Sequence, residues 1–180
     1  IWKKLVDDAA ICGQKYVISP WLDIAYRKDF DQLKRFMEVF NKNGELCQAA
    51  GMKFGYHNHD FEFDQFGDTN GYEILLNETD PKLVDFELDL YWAVRAGHNP
   101  LDLFKKHPGR FTMWHVKDMD KVNPDWNAEI GTGAIDFKSI FAQAELAGMK
   151  RFFLEHETNY KPNPIESAAT SFNYIKKNLI

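Results

Sequence analysis

Phe54-Gly55-Tyr56-His57-Asn58-His59-Asp60-Phe61-Glu62-Phe63 is an apolar run that ends abruptly in two histidines, an aspartate and a glutamate. A strand delivers functional groups in this way, with its apolar body buried and its polar groups beginning where it emerges. The design returns in Val84-Asp85-Phe86-Glu87-Leu88-Asp89, in Phe111-Thr112-Met113-Trp114-His115-Val116-Lys117-Asp118, and in Arg151-Phe152-Phe153-Leu154-Glu155-His156-Glu157. Each has a strand-like body with Asp, His or Glu near its C-terminal end.

Helical patterns fill the intervals. Leu5, Val6, Ala9 and Ala10 recur at helical spacing before Gly13, so residues 1–13 read as the end of a helix. Tyr16 to Trp21 is a short strand closed by Pro20. The stripe Phe30, Leu33, Phe36, Met37, Phe40, Leu46 and Ala49 predicts a long amphipathic helix over 29–50, stopped by Gly51. The strand at 53–57 leads through a polar loop to a helix at 71–78. The strand at 84–89 leads to a helix at 100–107, for which Asn99-Pro100 is a good N-terminal signature. Strand 111–117 precedes a loop holding Pro124, Trp126 and Gly131-Thr132-Gly133. A helix at 136–147 follows, capped by Asp136 or its predecessor and stopped by Gly148, and strand 151–155 leads to a last helix at 164–178.

Strands alternating with helices, with no Asn-Gly hairpin signal between them, imply a parallel α/β sheet with right-handed crossovers. The strand-end residues Trp21, His57, Asp89, His115 and Glu155 stand roughly 26 to 40 residues apart, the spacing of βα units. Parallel strands carry their C-terminal ends to one side, so these groups converge in either an open α/β sheet or a (β/α)8 TIM barrel. Five units do not close a barrel. The expectation is therefore one domain over 1–180, the C-terminal five units of a barrel.

Composition narrows the function. A chain of 180 residues with 44% hydrophobic content can bury a real core, and 15 Phe, 7 Tyr and 5 Trp suit a packed core and a sugar-stacking pocket equally. A net charge of −5 argues against a nucleic-acid backbone as partner, which needs clustered Lys and Arg. Cys12 and Cys47 belong to no metal spacing and read as two buried thiols. No apolar run approaches the ~20 residues that span a bilayer, so no membrane partner is expected. The chain begins at Ile1 within a helical pattern. Its default compartment is the cytoplasm, with the periplasm or secretion left open.

Asp89, His115, Glu155 and a group from the His57–Glu62 stretch make a mixed oxygen and imidazole ligand set. That set suits Mn, Mg, Co or Zn and not a thiolate metal. Such an ion would polarise a carbonyl and acidify the neighbouring C–H, while an uncoordinated carboxylate or imidazole moves the proton. The plainer reading is polar residues at strand ends, weakened by their recurrence in consecutive units. Lys117 is set either to bind a substrate oxygen or to form a surface salt bridge. His59, on the alternation face of His57, is either a base or a hydrogen-bonding support. Glu157 alternates with Glu155 toward substrate, and Glu62 is a second carboxylate near the site. Trp21 and Trp92 read as packing residues at the mouth before sugar platforms, although Trp21 stays a candidate substrate contact. Gly131-Thr132-Gly133 reads as loop geometry before a phosphate cradle. His98, His107 and His156 read as structural or surface residues.

The whole set resembles the sugar phosphate isomerase/epimerase superfamily, the xylose isomerase-like TIM barrels. The carriers are Gly51-Met52-Lys53-Phe54-Gly55-Tyr56-His57-Asn58-His59, Glu87-Leu88-Asp89-Leu90-Tyr91-Trp92, His115-Val116-Lys117-Asp118, Gly131-Thr132-Gly133-Ala134-Ile135-Asp136-Phe137 and Phe153-Leu154-Glu155-His156-Glu157. The resemblance implies the fourth to eighth barrel strands. It makes Asp89, His115 and Glu155 the metal ligands of the sixth, seventh and eighth. The fifth strand departs from the pattern, because His57 stands where epimerases carry a glutamate that binds metal and shuttles a proton. Either His57 is the fourth ligand or Glu62 folds back to supply a carboxylate. Trp92 replaces a histidine that often follows the sixth-strand aspartate.

The leading expectation is a divalent-metal-dependent sugar isomerase or epimerase working through an enediolate, with His57, His59, Glu62 and Glu155 as the catalytic candidates. The alternative is a keto-sugar or keto-inositol dehydratase on the same site, since imidazole is a good acid for a departing hydroxyl. A non-catalytic sugar-binding domain is the third reading. The partner expected is a small-molecule sugar or sugar derivative, and a homo-oligomer is left open.

Overall fold

The first strand–helix alternation is set by side chains that can bury only one way. The computed structural model describes residues Ile1–Ile180, in two units, Ile1–Glu87 and Leu88–Ile180. The first holds α1 (Trp2–Ile11), β1 (Tyr16–Ser19), α2 (Phe30–Ala49), β2 (Lys53–His57), β3 (Gln65–Phe66), β4 (Thr69–Asn70) and α3 (Gly71–Glu78). β5 (Val84–Asp89) begins in it and ends in the second. The second unit continues with α4 (Leu90–Arg95), α5 (Pro100–Lys106), β6 (Met113–Val116), β7 (Asp118–Met119), β8 (Asn127–Ala128), α6 (Phe137–Phe141), α7 (Ala144–Ala147), β9 (Arg151–Leu154) and α8 (Pro164–Asn178).

In the first unit β2 lies between β1 and β5, parallel to both, with Val17 opposite Phe54 and His57 opposite Glu87. Of the predicted stripe of α2, Leu33, Met37 and Phe40 are buried and Phe36 half-buried, while Phe30, Leu46 and Ala49 are exposed and Cys47 takes the inward position in the last turns. Phe40 meets Phe54 and Tyr56 of β2 at ring separations of 5.3 and 5.2 Å. Gly44 sits on the same face because a Cβ there would lie 2.6 Å from the Leu83 carbonyl oxygen, so any side chain would push the helix off the chain beneath it. Asp29 caps α2 by accepting from the Gln32 N–H at 2.8 Å.

In the second unit β6 and β9 pair in parallel, with His115 opposite Phe153. Trp114 is fully buried, stacked on Phe104 of α5 at 5.2 Å and edge-on to Phe141 of α6 at 5.4 Å. Truncating such a ring costs about 3–5 kcal/mol. Asn99 caps α5 as its Asn-Pro signature predicts, and Asn163 before Pro164 caps α8 in the same way.

The structure departs from the expectations in several places. Residues 90–95 are helical, because Asp89 caps them at once and no loop is needed. The helix expected over 136–147 is capped by Asp136 but breaks at Ala142–Gln143. Its second piece offers the carbonyls of Leu146 and Ala147 to the N–H groups of Gly109 and Phe111. Two short antiparallel ladders, β3–β4 and β7–β8, stand where only loops were expected. They are two residues long per strand, too short for an alternating pattern. Lastly Cys12 is exposed at the end of α1, and only Cys47 is buried.

Candidate active site

Asp85, Glu87 and Asp89 alternate with Val84, Phe86 and Leu88 along β5, so the acidic residues share one face. All three are buried. Asp89 ends the strand and caps the next helix: its Oδ1 accepts from the Trp92 N–H at 3.0 Å, which fixes the carboxylate and leaves Oδ2 for other partners. Oδ2 lies 4.0 Å from His115 Nδ1 and 3.2 Å from Lys117 Nζ.

β6 and the loop after β9 bring the other members. His115 Nδ1 is 2.9 Å from Glu155 Oε2. Lys117 Nζ is 2.8 Å from the same Glu155 oxygen and 2.9 Å from Glu157 Oε2. Lys117 is only 1% exposed, so the surface salt bridge considered for it is ruled out: its ammonium is buried against Asp89, with Glu155 and Glu157 on its more open side. Its ammonium also faces the rings of Tyr91 and Trp92, 5.2 and 5.3 Å from their centroids. Burial would by itself lower the Lys117 pKa. Asp89, Glu155 and Glu157 outweigh it, and the group is held above its ordinary value and charged. Burial likewise pushes Glu155 upward, but hydrogen bonds from His115 and Lys117 prevail and hold it at about 2, fully ionised.

The loops that carry these groups are pinned by side chains that the sequence reading did not single out. Asn127 accepts at Oδ1 from the N–H groups of Glu157 (2.8 Å) and Thr158 (3.2 Å), while its own N–H donates to Thr158 Oγ1. Asp118 takes four backbone donors: Met119 and Ile135 on Oδ1, Gly131 and Gly133 on Oδ2. The Gly131-Thr132-Gly133 turn therefore spends its outer N–H groups on Asp118. It is loop geometry and not a phosphate cradle. A Cβ on Gly133 would lie 2.3 Å from Asp118 Oδ1, which is why glycine stands there.

The first unit holds a second group of candidates. His57 Nδ1 is 3.4 Å from Glu87 Oε2, its register partner across β2 and β5. Strand alternation was the available signal for Glu87, two residues before Asp89 on the same face. The His57 and His59 rings stand 5.1 Å apart, edge to face. Glu62 is buried, with Oε1 accepting from Tyr56 Oη at 2.5 Å and Oε2 from the His59 N–H at 2.8 Å. Its oxygens thus brace the His59 backbone. Burial raises its pKa to about 7 against the lowering effect of those two bonds. Trp21, 53% exposed, meets the rings of His59 and Phe61 at 4.9 and 4.7 Å. The His98 N–H bonds the Ala93 carbonyl behind α4, His107 caps the C-terminus of α5, and His156 Nε2 is bonded to the Thr158 carbonyl.

The second-unit donors are chemically fitted to a divalent cation. One imidazole nitrogen and two carboxylate oxygens, without a thiolate, are the donors shared by Mg, Mn and Zn sites. The ion pairs already compress the two oxygens and the nitrogen into one small volume.

Known proteins share this architecture. At 30% identity over 160 residues, 78% of this chain aligns with 53% of the inosose dehydratase of Geobacillus thermodenitrificans. A sugar phosphate isomerase/epimerase from Parabacteroides distasonis superposes with a TM-score of 0.85 at 31% identity, covering 97% of this chain and 62% of that one. A xylose isomerase-like TIM barrel protein from Mycobacterium smegmatis, in complex with magnesium, shares the fold with a TM-score of 0.68 at 18% identity, covering 99% of this chain and 65% of that one. The chain spans little more than half the length of the curated relatives it matches. No helix is long and apolar enough to cross a membrane. The family model of the xylose isomerase-like TIM barrel matches residues 1–178, and the chain belongs to that family.

Proposed function

We propose that the chain carries the site of a divalent-metal-dependent, sugar-modifying enzyme that removes a proton next to a carbonyl. Isomerisation or epimerisation through an enediolate is the leading outcome. The observation that carries this reading is the gathering of Asp89, His115 and Glu155, three strand-end residues from three βα units, around one buried ammonium. A purely structural ion pair needs two charges, and gathering a third carboxylate and an imidazole around the buried Lys117 and Asp89 is expensive unless the arrangement serves a ligand.

Asp89, His115 and Glu155 would hold the cation. Bound there, a divalent ion supplies Lewis-acid polarisation of the substrate carbonyl. Asp89 is positioned for ligation by its cap on α4, which fixes one oxygen and aims the other. Glu155 is proposed as the group that takes the proton. Lys117 and Glu157 are proposed to bind substrate oxygens. His59, braced by Glu62, and Trp21 beside it are proposed to act on or pack against the sugar.

Dehydration of a keto-sugar or keto-inositol is the second reading. It is favoured by the name inosose dehydratase among the relatives and by the adjacent imidazoles of His57 and His59, which suit protonation of a departing hydroxyl. The test is incubation of the protein with Mn2+ and a panel of ketoses and keto-inositols in D2O, read by NMR. Deuterium incorporated next to the carbonyl supports the common first step, and loss of a hydroxyl selects dehydration. Absence of both with every substrate, while metal is bound, contradicts the reading and favours a sugar-binding domain.

A further inference from the structure

We propose that Lys117 is a built-in counter-cation that keeps the carboxylates assembled without metal, yields Asp89 and Glu155 when a divalent ion binds, and so sets the metal affinity of the site. This rests on the metal reading above and adds a role for a residue that supplies no ligand atom.

The argument is one of shared atoms. The ammonium of Lys117 is bonded to Asp89 Oδ2 at 3.2 Å and Glu155 Oε2 at 2.8 Å. Those are the same oxygens that stand 4.0 and 2.9 Å from His115 Nδ1, and hence the ones proposed as ligands. A lysine charge and a divalent charge sharing two oxygens repel strongly at this range and with this little water. The ammonium must give ground for the ion to enter.

It has somewhere to go. The third partner, Glu157 Oε2 at 2.9 Å, is the most exposed carboxylate of the three, and Asn127 holds its backbone. A Lys117 released from Asp89 and Glu155 but kept by Glu157 stays charged and turns to the more open side of the cluster. There it meets a substrate hydroxyl or oxyanion. The Tyr91 and Trp92 rings also face the ammonium. The same lysine thus lowers metal affinity and, once the metal is in, becomes the substrate contact.

The test is calorimetric titration of MnCl2 into the wild-type protein, Lys117→Met and Lys117→Gln, with melting curves recorded without metal. The neutral variants are expected to bind Mn2+ about tenfold tighter or more, and to melt lower when metal is absent. Equal or weaker binding by a folded variant overturns the proposal while leaving the metal site standing. If neither wild type nor variant binds Mn2+, the metal reading itself fails and takes the proposal with it. Should both variants fail to fold, reductive methylation of the wild type decides, read by peptide mass spectrometry. Lys117 is expected to be protected without Mn2+ and modified at saturating Mn2+, and an unchanged pattern overturns the proposal.

Discussion

Lys117 Nζ and Glu155 Oε2 are 2.8 Å apart in a site where the lysine is almost wholly buried. The same oxygen receives His115 Nδ1 at 2.9 Å. Glu155 is therefore the joint between the βα unit of β6 and that of β9, and its ionisation is fixed by both neighbours. Replacing it with Gln keeps the shape and removes the charge. Deuterium exchange next to the substrate carbonyl should then fall by about a hundredfold or more, with near-native circular dichroism. Exchange at the wild-type rate would remove Glu155 from the mechanism.

Glu62 predicts how stability follows pH. A free glutamate titrates near 4.5 and the folded one near 7, so the folded protein holds the extra proton between those values. Its contribution is fully present below about 4.5, is lost as pH rises to about 7, and is flat above. The amplitude is at most roughly 3 kcal/mol. Glu62→Gln, which imitates the neutral form, should flatten this part of the melting-temperature profile. An identical slope in the variant would assign the pH dependence to other groups.

Asp118 and Gly133 should behave as one unit. Gly133→Ala places a Cβ against Asp118 Oδ1 and the Met119 carbonyl, while Asp118→Ala abandons four backbone donors. Each change should cost about 2–4 kcal/mol in denaturant unfolding, and the double variant should cost much less than the sum. Full additivity would mean that the two residues do not share a structural role.

Asn127 should separate positioning from folding. Asn127→Ala strips two acceptor contacts from residues 157–158 and is expected to cost about 1–3 kcal/mol. It should also weaken substrate binding through Glu157, raising KM more than it lowers kcat. Asn127→Asp keeps the acceptor oxygen and should restore most of the KM. Failure of that rescue would make the residue purely structural.

Much of this arrangement was legible in the chain. The repeated apolar bodies ending in Asp89, His115 and Glu155 announced parallel βα units and the side on which the polar ends collect. The periodicity over 33–40 marks the buried face of α2, but in the last turns it points to Leu46 and Ala49 where Gly44 and Cys47 are the buried residues. What escaped was set by tertiary hydrogen bonding. Nothing local to Asn127 reveals that it holds a segment about 30 residues later, and nothing in Lys117-Asp118 tells a buried network from a solvated pair. Glu87 was visible in the alternation of β5, but its pairing with His57 depends on register, which a single strand does not encode. The helix at 90–95 was hidden because its cap, Asp89, reads first as a site residue.

The central claim is that Asp89 and Glu155 belong to one divalent-metal site. Its most direct test is Mn2+ titration of the wild-type protein beside Asp89→Asn and Glu155→Gln, with metal content read by elemental analysis. One ion per chain in the wild type, with affinity reduced about tenfold or more in both variants, is the predicted result. Wild-type protein that takes up no divalent metal, or variants that bind it as tightly as the wild type, would contradict it.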